Sequence, residues 1–424
     1  MKRTIKLAVV AALALGTTSA FATNGSNLIG MGAKTRAMGG ATIGVSHGAE
    51  SGLSNPALIS NVESTEVSFG GTIFMPDVSA NMGAGSSSSA ADMSVIPEVS
   101  IASKINDNFT MGIGMWGTAG MGVDYRDETG FTANMNMVTN LQIMQFGVPL
   151  AYSTGGFSVA ITPLLQYGSL DINFDTTPMG GSNVGAGVAQ DLALGYNLGL
   201  AYQSSGFTIG AVYKAQIDME YKGQVSTATG AFVNMGIFPA PMGDKLSTPA
   251  ELGAGLSYET GGHTIAADYK QVKWSDAEGY KGFGWDDQSV MALGYQYTTN
   301  GWALRVGYNH ASNPISDVGA MSAAQLNTAF GASTFSPTMM GGNAVNTFNL
   351  LGFPATVESH ITFGGTYDIS KDTSLDLAYV IASESDTTLA TMPSNDATTG
   401  AFVDGKTTVK HSQTSLSFQL NYTF

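Results

Sequence analysis

The chain has 424 residues, a formal net charge of −15, 54 glycines, 12% charged residues and no cysteine. Disulfide frameworks and thiolate metal sites are thereby excluded, and so acidic a chain disfavours nucleic acid as a partner. No stretch of about 18 or more uninterrupted apolar residues follows the N-terminus, so any membrane insertion must be by strands rather than helices.

The first residues read as a secretory leader: Lys2, Arg3 and Lys6, an apolar run from Leu7 to Leu15, then the small-x-small pattern Ala20-Phe21-Ala22. Setting residues 1–22 aside removes three cations and takes the formal charge to −18. Residues 23–61 do not alternate. They are rich in glycine and alanine, and Asn55-Pro56 favours a turn or helix start. A non-alternating segment of small residues ahead of a barrel is suited to plugging the lumen.

From residue 62 onward, about fourteen segments show the period of two that places alternate side chains on opposite faces, each long enough for a tilted strand to cross a bilayer. Their expected limits are 62–80, 93–105, 108–122, 136–153, 156–174, 190–204, 206–222, 248–260, 262–274, 286–299, 301–311, 356–370, 373–386 and 410–424. The last one shows the pattern to its end. Leu416, Phe418, Leu420, Tyr422 and Phe424 share one face; Ser417, Gln419, Asn421 and Thr423 share the other. Such a strand suits a wall between lipid and water, and the even count returns both ends to one side.

Connections alternate in length. Short turns fall at Asn106-Asp107-Asn108, Thr154-Gly155-Gly156, Ser204-Ser205-Gly206, Thr260-Gly261-Gly262, Thr299-Asn300-Gly301 and Ser370-Lys371-Asp372, all chemistry that tolerates positive φ or local side-chain bonds. Long loops take every other place, and in bacterial barrels the long loops are external. Residues 81–92, 123–135, 175–189, 223–247, 275–285, 312–355 and 387–409 are therefore expected outside the cell. The Gly/Ser/Met-rich 312–347 reads as flexible, and acids such as Asp124, Asp386 and Asp404 as solvated loop tips.

Charged residues are expected inward, because a midplane Lys or Arg facing lipid costs about 2–4 kcal/mol. In the seventh strand, Lys214, Gln216, Asp218 and Glu220 oppose Phe207, Ile209, Ala211, Tyr213 and Ala215. Lys104, Lys214, Lys270 and Arg305 are inward cations that could meet a carboxylate. Each also has acids near in sequence, Asp218 and Glu220 for Lys214 and Asp268 for Lys270, so that pairs bracing the lumen are the competing reading. Tyr152, Tyr202, Tyr258, Trp302, Tyr367 and Tyr422 lie near strand ends, where interfacial aromatic girdles form.

The run Gly30-x-Gly32-x-Lys34-Thr35-Arg36-x-Met38-Gly39-Gly40-Ala41, with Asn55-Pro56-Ala57, resembles the N-terminal hatch of the FadL/TodX outer-membrane transporters. Ordered blocks extend the resemblance along the chain: Gly112-Ile113-Gly114, Pro249-Ala250-Glu251-Leu252-Gly253, Trp274-Ser275-Asp276, Trp302-x-Leu304-Arg305-Val306-Gly307-Tyr308 and His360-Ile361-Thr362-Phe363-Gly364. The resemblance implies an all-β, 14-stranded antiparallel transmembrane barrel of residues 62–424 in a Gram-negative outer membrane. Residues 23–61 would be a hatch in its lumen, with Asn55, Pro56 and Ala57 as its motif.

It further implies passive uptake of hydrophobic molecules, long-chain fatty acids first, captured at external loops and released sideways through a kinked third strand. Gly112, Gly114, Gly117 and Gly120 fit that strand, since glycine marks bulges and bends. The apolar stretch Phe232, Val233, Met235, Ile237, Phe238 and Met242 fits the capture loop, an exposed apolar cluster being a binding surface and Met an adaptable one. Lys214, Lys270 and Arg305 would be carboxylate partners. Trp285-Asp286-Asp287 departs from the Trp-Lys-Asp of relatives, which leaves room for neutral hydrocarbons. No cofactor or metal is expected, lipid and lipopolysaccharide are the surrounding partners, and a monomer suffices. The five histidines lie in no nucleophile motif, so no catalytic residue is assigned. A general porin and an adhesin are the competing functions.

Overall fold

The computed structural model describes residues 23–82, 85–126, 134–177, 182–234, 238, 241–318, 340–392, 394–395, 402–403 and 405–424. The expected leader lies outside them. Fourteen antiparallel strands form the wall. They are β1 Thr65–Asn81, β2 Ser94–Lys104, β3 Phe109–Asp124, β4 Val138–Gly147 resuming as Leu150–Thr154, β5 Phe157–Asp175, β6 Ala189–Ser204 and β7 Phe207–Lys214. The rest are β8 Glu251–Thr260, β9 His263–Val272, β10 Gln288–Thr299, β11 Trp302–Ala311, β12 Ser359–Ser370, β13 Thr373–Ala390 and β14 Lys406–Thr423. Strand β14 pairs with β1 from Thr408↔Asn81 to Thr423↔Glu66, which closes the sheet on itself and removes its edges.

Alternation decides which face meets lipid. On β14, Leu416, Phe418, Leu420 and Tyr422 are exposed on the outside, whereas Ser417, Gln419 and Asn421 are buried within. The short turns fall where expected. Gly155, Gly156, Ser205, Gly206, Gly261, Gly262 and Gly301 all take positive φ, the backbone that a tight hairpin with right-twisted strands requires. Aromatic pairs ring the short-turn rim: Phe109–Tyr152 at 4.9 Å, Phe157–Tyr202 and Phe207–Tyr258 at 4.4 Å, Tyr422–Phe424 at 4.6 Å.

Two segments depart from the expected pattern. Strand β7 stops at Lys214, short of 222, and the phase inverts beyond it: Ile217, Met219 and Tyr221 are buried, while Asp218 and Glu220 are exposed. A one-residue slip of this kind moves a whole side-chain set to the other face, which corrects the inward placement of Asp218 and Glu220. Within the 312–347 stretch read as flexible, residues 319–339 lie outside the described residues. Met340–Thr347, however, is a helix continued by a π-turn Phe348–Gly352 that buries Phe348, Leu350 and Leu351.

The bore is filled from the N-terminus. Residues 24–61 are almost wholly buried inside the cylinder, as a two-residue hairpin (Thr23–Asn24 with Asn27–Leu28), helix α1 Ala33–Ala37, helix α2 Ser51–Ser54 and a 3-10 turn Pro56–Asn61. Asn55 caps that turn, its Oδ1 accepting from Ala57 N at 3.2 Å with Pro56 at the first position. Its Nδ2 donates to Ile43 O at 2.7 Å and to Leu200 O of β6 at 3.2 Å. The Asn-Pro-Ala motif thus stitches segment to wall.

The segment lies backbone against backbone on β11. A Cβ on Gly39 would come within 2.6 Å of Tyr308 N, and one on Gly307 would strike Met38 and Gly39. Gly307→Val is expected to leave the barrel closed, judged by unchanged heat-modifiable migration, while displacing residues 36–44. Loss of their amide protection in hydrogen exchange is the check.

Candidate functional site: the polar bore

Four wall carboxylates hold the inner segment. Asp268 of β9 accepts the backbone N–H groups of Thr42, Ile43 and Gly44 at 2.6, 2.7 and 3.2 Å, a nest of successive amides around one anion. Glu98 of β2 takes a bidentate pair from Arg36, one arm at 2.9 Å, and also accepts Gly32 N at 3.0 Å. Asp376 of β13 lies 3.8 Å from Lys34 and 3.6 Å from Arg305. Glu66 of β1 accepts Ala49 N at 3.0 Å. Buried charges need such partners: Glu98 and Asp376 have cations, Asp268 has its three amides, and Glu66 is only half-buried.

Glu251, at the start of β8, is arranged differently. One oxygen receives Lys214 at 3.2 Å and Lys270 at 3.3 Å; the other accepts Asn27 Nδ2 at 3.2 Å. Register explains the grouping, since Lys214 pairs directly with Glu251 and Lys270 with Gly253 two residues on. The partners expected from sequence proximity are therefore corrected. Lys214 meets neither Asp218 nor Glu220, and Asp268 is taken up by the amide nest. Glu251 was visible only as part of a resembling block, because cross-strand neighbours depend on register rather than on nearness along the chain.

Asp268 also lines this space, so two ammonium groups face two carboxylates there, and Glu251 alone receives both ammonium groups directly. This cluster borders a cavity of about 40 Å³ between segment and wall, lined also by Leu28, Met31, Ile43 and Val212. The space holds roughly three or four waters at about 10–15 Å³ each. Arg305 is engaged elsewhere, donating to Gln296 at 2.5 Å and to Thr366 at 2.7 Å besides its pairing with Asp376. Lys104 is exposed at the end of β2 rather than inside the bore.

The third strand leaves its neighbour where the glycines cluster. Pairing of β2 with β3 runs from Lys104↔Thr110 only to Glu98↔Trp116. Beyond it, β3 carries a register shift between Gly117 and Ala119 on its β4 side and turns to the inner segment, Asn27 pairing with Ala119 and Gly120 N donating to Ser26 O at 3.0 Å. Pro97 stands on β2 where the strand becomes an edge, a position that suits a residue with no N–H to offer. Gly112 and Gly114 make room rather than bend, a Cβ on either meeting Pro149 or the Trp116 ring. The break itself is closed by side chains, Ile96 lying over Gly117.

The apolar stretch assigned to capture is not the exposed patch expected. Helix α3, Val225–Asn234, buries Phe232. Its ring packs with Phe174, Phe238 and Phe348 at centroid distances of 5.8, 5.7 and 5.1 Å. Phe238 is buried; Val233 and Met242 are partly buried against the same cluster. Met235 and Ile237 lie outside the described residues. A second aromatic group, Trp274, Tyr280 and Trp285, sits above Gly25 with centroids 4.6–5.0 Å apart. Sequence reasoning missed it because Tyr280 and Trp285 come from a segment read as an external loop, and Trp274 from the end of the strand before it. Among the described residues no group of three or more His, Asp or Glu could hold a metal ion.

A family model described as "Outer membrane protein transport protein (OMPP1/FadL/TodX)" matches residues 7–322. Among solved structures, a Pseudomonas aeruginosa FadL homologue superposes with a TM-score of 0.68 at 15% identity, over 94% of this chain and 99% of that one. The Pseudomonas putida toluene transporter TodX gives 0.65 at 18% identity, over 95% and 100%. The Ralstonia pickettii toluene transporter TbuX gives 0.62 at 17%, over 93% and 98%. At such identities the likeness is one of fold. A Chlorobium limicola protein described as "Uncharacterized protein in phosphoenolpyruvate carboxykinase gene 5'region" is 38% identical over 81 residues, 19% of this chain; the match spans 40% of that relative's length.

Proposed function

The chain belongs to the OMPP1/FadL/TodX family of outer membrane transport proteins, and from that premise we propose that it is a passive channel carrying hydrophobic carboxylates, long-chain fatty acids first, across the outer membrane. Residues 23–61 act as its hatch. The observation that carries the fatty-acid reading is the Lys214–Glu251–Lys270 cluster: two ammonium groups share one oxygen of one carboxylate beside a small cavity, so either can turn a charge-assisted hydrogen bond to the carboxylate head of a fatty acid. The Phe174–Phe232–Phe238–Phe348 cluster is the apolar approach to it, with Met242 at its margin, and the parting of β2 and β3 is the way into the membrane. Lys214 and Lys270 are the carboxylate partners. Arg305, already occupied by Asp376, Gln296 and Thr366, serves to hold the wall.

The experiment is native mass spectrometry of the protein extracted in mild detergent, together with oleate uptake by cells whose own fatty-acid channel has been removed. Co-purified fatty acid and restored uptake are expected. A steady ion conductance in planar bilayers with no bound lipid would instead indicate a general porin. A neutral aromatic ligand with no oleate uptake would move the chain to hydrocarbon transport.

A further inference from the structure

We infer that the barrel has a second lateral passage, between β6 and β7, built on the same plan as the parting of β2 and β3 and leading the apolar cargo of the bore into the membrane. This rests on the transport reading above and extends it. Pairing of β6 with β7 runs from Ser204↔Phe207 only to Asn197↔Lys214, with one further bond from Ala215 N to Tyr196 O at 3.0 Å. Above it, residues 189–195 keep their ladder to β5 but have none on the β7 side among the described residues. The chain after Lys214 stays with its other neighbour, through Ile217↔Thr248 and Glu220↔Lys245, and leans into the bore, where Tyr221 lies over Gly168 of β5.

The consequences show in exposure. Leu194, on the outer face, is 81% exposed and Leu192 61%, because no side chains flank them from a neighbouring strand. Their inward companions Ala189, Asp191, Ala193 and Gly195 are only half-buried, whereas Leu164, Gln166 and Leu170 of β5 are fully buried. Unladdered backbone at membrane depth is tolerated only where it lines a passage or a wet cavity. Among the described residues the single polar tie across this stretch is from Glu220 N to the Asp191 side chain, at 2.8 Å. From Asp191 to Tyr196 the window measures about 16 Å along the strand at 3.3 Å per residue.

The closure repeats. At the first break Ile96 lies over Gly117, a Cβ built on the glycine standing 3.8 Å from the isoleucine Cβ; at the second, Ile217 lies over Gly195 with the same 3.8 Å. Both breaks begin at the eighth residue of strands that leave a short turn on phenylalanine, Phe109 to Trp116 and Phe207 to Lys214. Both are shut by a side chain rather than by backbone hydrogen bonds, so opening needs a rotamer change and a small shift instead of a broken ladder. Lys214 and Val212, which line the charged cavity, stand directly below the second window.

The cysteine-free chain makes the test direct. A separation of 3.8 Å between Cβ atoms is that of a disulfide, so Gly195→Cys with Ile217→Cys closes the second window reversibly, and Ile96→Cys with Gly117→Cys closes the first. Oleate uptake is measured for the parent, each pair and the four-cysteine protein, oxidised and reduced, with heat-modifiable migration as the check on folding. The expected result is that oxidising either pair roughly halves uptake, that oxidising both abolishes it, and that reduction restores it. Full uptake through the oxidised 195–217 pair, with loss on oxidising 96–117 alone, overturns the second passage and leaves transport standing. A parent that takes up nothing overturns the transport reading itself and the passage with it.

Discussion

Arg36→Ala is expected to turn a closed barrel into a leaky one. The Arg36 guanidinium is 2% exposed and meets both oxygens of Glu98, beside the point where β2 and β3 part. Removing one partner of a buried pair costs about 3–5 kcal/mol, because the remaining charge is left without its counter-ion. Among the described residues, Glu98 would keep only Gly32 N. The loss falls on the docking of α1 rather than on the wall, whose ladders run between other residues. Local opening should rise by roughly 10²–10³-fold, at tenfold per about 1.4 kcal/mol. Planar-bilayer recordings should then show ion conductance absent from the parent, and hydrogen exchange at residues 33–41 should accelerate. Arg36→Ala with Glu98→Ala should recover part of the loss, since it removes both charges; a double variant as leaky as the single one would show that the pair is not what seats the segment.

The second large effect concerns ligand class. Lys214→Gln removes one of the two ammonium groups while leaving Glu251 its contacts to Lys270 and Asn27, so nothing buried is orphaned. A hydrogen bond to a charged group contributes about 1.5–3 kcal/mol, and oleate affinity should fall by roughly 10–100-fold. Toluene, which has no carboxylate, should be unaffected. The opposite change is equally informative. Glu251→Gln leaves both ammonium groups without their shared counter-ion and should tighten oleate binding while loosening the Asn27 hairpin. Equal losses for oleate and toluene in Lys214→Gln would show that the cluster shapes the bore without reading the head group.

Much of this architecture was legible because barrels obey two local rules, alternation and turn chemistry, each written in adjacent residues. Most of the strand limits and the hairpins at Gly155-Gly156 and Gly261-Gly262 follow from them. What escaped reading depends on contacts made at a distance. Glu251 collects Lys214 and Lys270 through register. The inversion after Lys214 keeps an alternating pattern and merely exchanges its faces, so sequence alone gives it no signature. Phe232 and Phe238 looked exposed because their segment lies between strands, yet a long loop can fold back into the bore, as this one does. The same holds for Phe348, Leu350 and Leu351.

The wide separation of the segment's partners bears on how the protein is made. Ala33 N donates to Gln419 Oε1 at 3.1 Å, a contact that joins residues 386 positions apart, and Gln419 in turn donates to Glu50 at 2.7 Å. A portion synthesised early is thus secured by the strand that closes the barrel. Contacts so distant in sequence form slowly, since loop-closure entropy must be overcome before any of them helps. Until β14 meets β1, the N-terminal portion has no complete berth, so its docking should be the final event of biogenesis, and truncations within the last strand should release the beginning of the chain.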